Sequence, residues 1–232
     1  MEKKVRILPE YIANQIAAGE VVQRPESVVK ELVENSIDAQ ANSIAVIVKN
    51  AGKSLIHVVD NGIGMSKEDL LLSIKRHATS KIYNSEDLEA IKTFGFRGEA
   101  LASICSVAFT EIRTKQNNSE IGWQLKSEPL KVPVIEPFNA ENGTQVFVRN
   151  LFYNVPARRK FLKADLTEFR YISETMMRFA LSHPEIRFTF YDDNILVFDL
   201  KSSNILNRIE EIFGKNIVEN LFEINYTDEF IS

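Results

Sequence analysis

The sequence predicts an α+β fold built around a mostly antiparallel sheet. Helical periodicity dominates the first hundred residues and strand-like runs follow it. The two never settle into the strand–helix–strand alternation of a parallel sheet. With 44% hydrophobic residues over 232 positions, the chain can bury a large core without disulfides or a structural metal.

Residues 10–19 form a short helix, and Pro25, in the favoured first-turn position, opens a second that runs to about Asp38. Residues 43–49 and 55–59 are β-branched or apolar and alternating, hence strands. Ser66, with Asp69 three residues on, makes a capping-box-like start for a helix to about Arg76. Residues 85–91 give another short helix, and 99–105 one more after a glycine-bearing loop. Strands are expected at 107–114, 121–127, 131–135 and 144–149, then helices at 156–163 and 166–182. Strands at 186–191 and 195–200, a helix at 203–213 and a strand-like FEINY complete the chain. The expected division is a main domain over 1–200, then a connecting helix and the beginning of a second domain over 201–232.

Composition excludes several classes. Twenty-eight Lys and Arg against 32 Asp and Glu give a net charge of −4, so any binding to nucleic acid or an anionic membrane must come from a local patch. One cysteine, Cys105, excludes a disulfide framework and a multi-cysteine zinc site, and it reads as a small core residue. No apolar run approaches the ~20 residues of a membrane span. The N-terminus lacks the apolar stretch of a secretory signal. A soluble protein of a reducing, intracellular compartment is expected.

Five of the nine glycines fall in three short windows: Gly62 and Gly64, Gly95 and Gly98, and Gly143. Scarce glycine clustered this way marks sharp turns or a close approach to a ligand. Neither G-x-x-x-x-G-K-[ST] nor G-x-G-x-x-G occurs, so a nucleotide would be held by neither a P-loop nor a dinucleotide-binding turn. In PESVVKELVENSIDA, Val29, Leu32, Val33, Ser36 and Ile37 gather on one side of the helix, with Glu31, Asn35 and Asp38 opposite. A solvated polar face is the plain explanation. Asparagine is a poor helix-interior residue, however, and a water-activating carboxylate one turn before a Mg²⁺-ligating amide oxygen would account for it. DNGIGM follows a strand; it fits a hairpin turn, or else an acceptor, Asp60, at a strand end beside glycines that admit a flat ligand. TFGFRGEALASI runs into a helix N-terminus, where backbone N–H groups favour anions. The run Arg158, Arg159, Lys160 and Lys163 reads as a solvated face or a weak phosphate contact, the first being favoured, and Trp123 as packing.

Taken together and in order, IANQIAAGEVVQRPESVVKELVENSIDA, DNGIGM, RHATSKI, GFRGEALASI and LFYNVPARRKFL resemble the ATPase superfamily of gyrase, heat-shock chaperone, histidine kinase and MutL. Within it they closely resemble the MutL mismatch-repair family, and the likeness covers nearly the whole chain. It implies a mixed, largely antiparallel sheet covered on one face by helices, a two-layer sandwich, and a slow Mg²⁺-dependent ATPase acting as a conformational and dimerisation switch. Glu31 would activate the attacking water, Asn35 would ligate Mg²⁺, and Asp38 would share the nucleotide site. Asp60 would accept from the adenine amine, Gly62 and Gly64 would make room for the base, and Thr144 would support it from the sheet. Thr79, Ser80 and Lys81 would meet the nucleotide as a lid closes, and Arg97, Gly98, Glu99, Ala100 and Leu101 would cover its phosphates.

The resemblance also implies ATP and Mg²⁺ as cofactors, self-association on ATP binding, weak DNA affinity in a chain of this length, and mismatch-recognition and other repair proteins as partners. Localisation would be cytoplasmic and nucleoid-associated in a bacterium, or nuclear in a eukaryote. The second unit would be the start of a transducer-like domain whose remainder supplies a lysine to the γ-phosphate. Gln40 departs from the family pattern, which commonly has Gly there; a left-handed backbone at that position would cost a side chain ~1 kcal/mol. The competing readings are a DNA-binding module with a vestigial nucleotide site and, last, a kinase of the superfamily. The net charge and the complete acid–amide stripe oppose the first; no histidine in a phosphoacceptor setting supports the second.

Overall fold

In the computed structural model, which describes residues 8–81, 94, 95, 98–222 and 224, the strands join in one eight-stranded sheet. They are β1 (Ser43–Lys49), β2 (Leu55–Asp60), β3 (Phe109–Lys115), β4 (Gly122–Ser127), β5 (Val134–Phe138), β6 (Gly143–Arg149), β7 (Arg187–Asp192) and β8 (Ile195–Leu200). Their spatial order is β5-β4-β3-β6-β2-β1-β7-β8. Every pair is antiparallel except β1 with β7, which makes the sheet mixed. The helices described are α1 (Glu10–Val21), α2 (Pro25–Asp38), α3 (Lys67–Ser73), α4 (Ala100–Val107), α5 (Pro156–Phe161), α6 (Asp165–Ser182), α7 (Ile205–Phe213) and α8 (Lys215–Val218).

The strict alternation of β1 and β2 sends Ile44, Val46, Val48, Ile56 and Val58 to one face, where they are buried. Val146 and Val148 of β6 and Phe188 and Phe190 of β7 continue that face. Val28, Val29, Leu32 and Val33 of α2, with Ile172 and Met176 of α6, join them in one core. The other face carries a half-exposed ladder that includes His57, Phe147, Arg113 and Arg149. A one-residue slip would exchange the two faces, so this patterning fixes the register.

α2 and β1 have the expected bounds, and β2 extends one residue further to include Asp60. The helix after Ser66 ends at Ser73, short of Arg76, because Lys75 N donates to Leu72 O in a tight turn. β5 starts at Val134 instead of 131, since Lys131 N closes a turn on Glu128 O. The short α8 was not foreseen. The helix expected at 85–91 and most of FEINY lie outside the described residues.

At the end of α2, Gln40 N donates to Ile37 O and Ala41 N to Ser36 O, with Gln40 at φ 60°. This is a Schellman cap with glutamine in the left-handed position that glycine normally fills. It turns the chain directly into β1.

Candidate functional site

The polar stripe of α2 is not a solvated face. The Glu31 side chain is 26% exposed and that of Asp38 only 10%. Burial pushes the Glu31 carboxyl up; Lys30, whose Nζ lies 3.6 Å away, partly offsets this. A carboxyl raised towards neutrality is a better general base than an ordinary one.

Asp60 ends β2 on the buried face, in register with Thr144 at the start of β6. Its Oδ1 accepts from Gly62 N at 2.9 Å and Thr144 N at 3.2 Å, and its Oδ2 from Ser36 Oγ at 2.9 Å. Burial raises its pKa, and these three donors oppose the rise. An ionised carboxylate has about four acceptor positions, so one remains for a further donor. DNGIGM is not a hairpin turn: β2 leads on to α3, and Asn61 Oδ1 accepts from the backbone N–H groups of Asn42 and Ser43.

What the missing side chains of Gly62 and Gly64 accommodate here is protein. A Cβ on Gly62 would stand 2.6 Å from the Ala39 carbonyl oxygen, and one on Gly64 (φ 68°) would collide with the Lys115 carbonyl. Gly143 gave no sequence signal of its own, yet a Cβ there would strike the backbone of Asp60. Three glycines thus let the backbone close around the Asp60 corner.

Lys81 reaches from the RHATSK segment to α2, its Nζ 2.6 Å from Asp38 Oδ2 and 3.1 Å from Asn35 Oδ1. Thr79 Oγ1 accepts from Lys81 N at 3.1 Å and shapes that turn, in which Ser80 is exposed. Gly98, at φ 62°, packs against the Ala78 backbone, and Glu99 Oε1 lies 3.5 Å from His77 Nδ1. The RHATSK segment, which carries the expected lid residues, therefore touches the segment expected to cover the phosphates. Glu99 is the N-cap of α4, and Ala100 and Leu101 stand in its first turn, where backbone N–H groups lack intrahelical acceptors. Arg97 lies outside the described residues.

Two residues of this region escaped the sequence reading. Ser36 sat among the apolar residues of α2, and Thr114 drew no notice. Thr114 Oγ1 receives Met65 N at 2.9 Å and lies 3.0 Å from Gly143 O and 3.1 Å from Thr144 Oγ1. A serine on the apolar side of a helix was the only available hint. Arg158 was misplaced on a solvated face: its Nη2 donates to Gln15 O (2.8 Å) and Ile16 O (3.3 Å) of α1.

Asn35 and Asp38 fit a divalent cation. Their two oxygens, one neutral and one anionic, already converge on a single cationic nitrogen, and magnesium takes oxygen donors of this kind. A cavity of about 120 Å³ reaches Asp60 and Thr144 from the other face of the sheet but touches none of Glu31, Asn35 and Asp38.

Residues 23–135 match a family model described as histidine kinase-, DNA gyrase B- and HSP90-like ATPase. The chain is 48% identical over 225 residues to the DNA mismatch repair protein MutL of Chlorobaculum tepidum, spanning 97% of this chain and 36% of that protein. It is 50% identical over 229 residues to the MutL of Christiangramia forsetii, spanning 99% of this chain and 37% of the relative. Among solved structures it resembles the Aquifex aeolicus MutL ATPase domain complexed with ADP, with TM-score 0.68 and 35% identity over 83% of this chain and 70% of that one. The N-terminal domain of a DNA repair protein matches with TM-score 0.74 and 28% identity, over 87% of this chain and 60% of the other. The chain spans little more than a third of the curated relatives it matches.

Proposed function

Because this chain belongs to the MutL family of DNA mismatch repair proteins, with the fold of the family's ATPase domain, we propose that it binds ATP with Mg²⁺ and hydrolyses it slowly as a nucleotide-dependent switch. The observation that carries this reading is the half-buried stripe of α2, with the raised carboxyl of Glu31 one turn before the cation-holding oxygens of Asn35 and Asp38.

In this mechanism Asp60 takes the adenine amine at its free acceptor position and is held in place by Ser36, Gly62 and Thr144. Asn35, with Asp38 beside it, would hold Mg²⁺, which would neutralise phosphate charge. Glu31 orients the attacking water and accepts its proton. Thr79, Ser80 and Lys81, with Gly98 to Leu101 at the start of α4 and Arg97 before them, close over the phosphates. Phosphoryl transfer asks mainly for positioning and electrostatics, which these groups supply.

On the same reading, residues 1–200 are the nucleotide-binding domain, and 201–232 the connecting helix and beginning of a second one. Nucleotide binding promotes self-association in the whole protein, whose partners are DNA and mismatch-recognition and other repair proteins, in the cell interior. A vestigial site is disfavoured by the half-buried stripe of Glu31, Asn35 and Asp38, whose acid and amide groups are all present.

Calorimetric titration with ATP·Mg²⁺ and GTP·Mg²⁺, followed by phosphate release, tests the proposal. Adenine-selective binding with slow release supports it. Equal dissociation constants would remove the Asp60 assignment, and no binding of either would remove the proposal.

A further inference from the structure

Lys81 is tied to the face of α2 that the proposed function assigns to metal and nucleotide. Its side chain is only 19% exposed, and its Nζ contacts Asp38 Oδ2 and Asn35 Oδ1 together. Glu31, the next acid along the stripe, also feels its charge. We propose that Lys81 is a built-in placeholder for the divalent cation. Without nucleotide its ammonium fills the oxygen pair of Asn35 and Asp38 and keeps free metal out. It leaves only when a polyphosphate offers it a stronger anionic partner.

The physical basis is competition for the same oxygens. Mg²⁺ gives up its water reluctantly and needs well-placed anionic ligands, and a resident positive charge offsets the carboxylate of Asp38. A phosphate chain carries more charge than Asp38 and forms charge-assisted hydrogen bonds with a lysine, so it can draw Lys81 off α2. The consequence is an order: metal enters with or after the nucleotide, never before it. Lys81 also joins the lid segment to α2, so the same displacement frees that segment to move. This inference rests on reading Asn35 and Asp38 as the metal–nucleotide face.

Mn²⁺ binding to the nucleotide-free chain, followed by electron paramagnetic resonance, tests it without any measurement of activity. Lys81→Met should bind one Mn²⁺ at least tenfold more tightly than wild type, and Lys81→Gln should do the same if methionine disturbs folding. Lys81→Arg, which keeps the charge, should match wild type, and adding Asn35→Ala to Lys81→Met should abolish the gain. Equal Mn²⁺ affinity in wild type and both neutral variants overturns the placeholder and leaves a structural ion pair. ATP titration of wild type reads the proposed function separately. ATP binding with no Mn²⁺ gain in the variants sinks the placeholder alone. A Mn²⁺ gain without ATP binding sinks the nucleotide reading and, with it, the release of Lys81 by a polyphosphate.

Discussion

Ser36 and Asp60 meet in the interior, with Ser36 Oγ donating to Asp60 Oδ2 across 2.9 Å and joining the last turn of α2 to the end of β2. The helix that carries Glu31, Asn35 and Asp38 is thereby keyed to the strand that presents the proposed adenine acceptor. Burial raises the Asp60 pKa, and the Ser36 hydroxyl is one of three donors opposing that rise.

Ser36→Ala should therefore act at a distance from the nucleotide. Losing one hydrogen bond to a buried carboxylate should cost about 1–3 kcal/mol of stability and raise the Asp60 pKa further. Urea unfolding and ATP titration across pH check both. An ATP affinity that keeps the wild-type pH profile would show that Ser36 does not tune Asp60.

Asp60→Asn separates fold from function. The amide oxygen can still accept from Gly62 N and Thr144 N, and the amide nitrogen can face Ser36 Oγ. A carboxyl with a raised folded pKa contributes stability that is complete below its unfolded pKa and is lost as pH rises through the folded one. At neutral pH the variant should thus melt no lower than wild type, while ATP binding weakens at least about tenfold. A large drop in melting temperature would mean that the ionised carboxylate is needed for folding itself.

For Glu31 the raised carboxyl sets the direction of the pH dependence. Hydrolysis should fall as pH drops through a value above the ordinary glutamate range, because the base is then protonated. Glu31→Ala should cut phosphate release about 10²-fold or more while sparing ATP binding. Phosphate release at the wild-type rate from a clean preparation would remove Glu31 from the mechanism.

Gln40→Gly should stabilise the protein. Gln40 holds φ 60° in the Schellman cap of α2, a conformation that disfavours side chains by about 1 kcal/mol. Its midpoint in urea should rise with an unchanged slope. A lower midpoint would reveal a contact of the Gln40 side chain that outweighs the backbone strain.

Local signals were legible in the sequence and long-range ones were not. Pro25 and the spacing of Val29, Leu32 and Val33 marked α2 because both act within a few residues. The Glu31–Asn35–Asp38 stripe follows from helical geometry alone. Thr114 and Gly143 became meaningful only through register: β3 pairs Thr114 with Thr144, and the Asp60 backbone crosses Gly143 with no room for a Cβ. Arg158 looked solvated because its partners, Gln15 and Ile16, lie more than a hundred positions earlier. Arg208 is fully buried within α7 for a similar reason: it donates to the Ala180, Pro184, Ile186 and Lys201 carbonyls, which only the fold assembles.

His57 yields a prediction on the face of the sheet away from the proposed site. Its ring stacks on Phe147 of the neighbouring strand, with centroids 3.8 Å apart and planes 14° from parallel. Arg113 and Arg149 also lie against the Phe147 ring, their guanidinium carbons 4.8 and 4.7 Å from its centre. Burial first, and then these two arginines, depress the His57 pKa to about 4. The folded protein therefore keeps this imidazole neutral where the unfolded chain protonates it, near 6.5. Stability that is complete above about 6.5 should be lost as pH falls from there towards about 4, since the unfolded state binds the extra proton. His57→Phe keeps an aromatic ring to stack on Phe147 and removes the titration. Carboxylates titrate alike in both proteins, so the difference between their melting temperatures isolates His57. That difference should be constant above about 6.5 and shift in favour of the variant as pH falls. Melting curves that stay parallel across the whole range would show that His57 takes up its proton equally in the folded and unfolded chains.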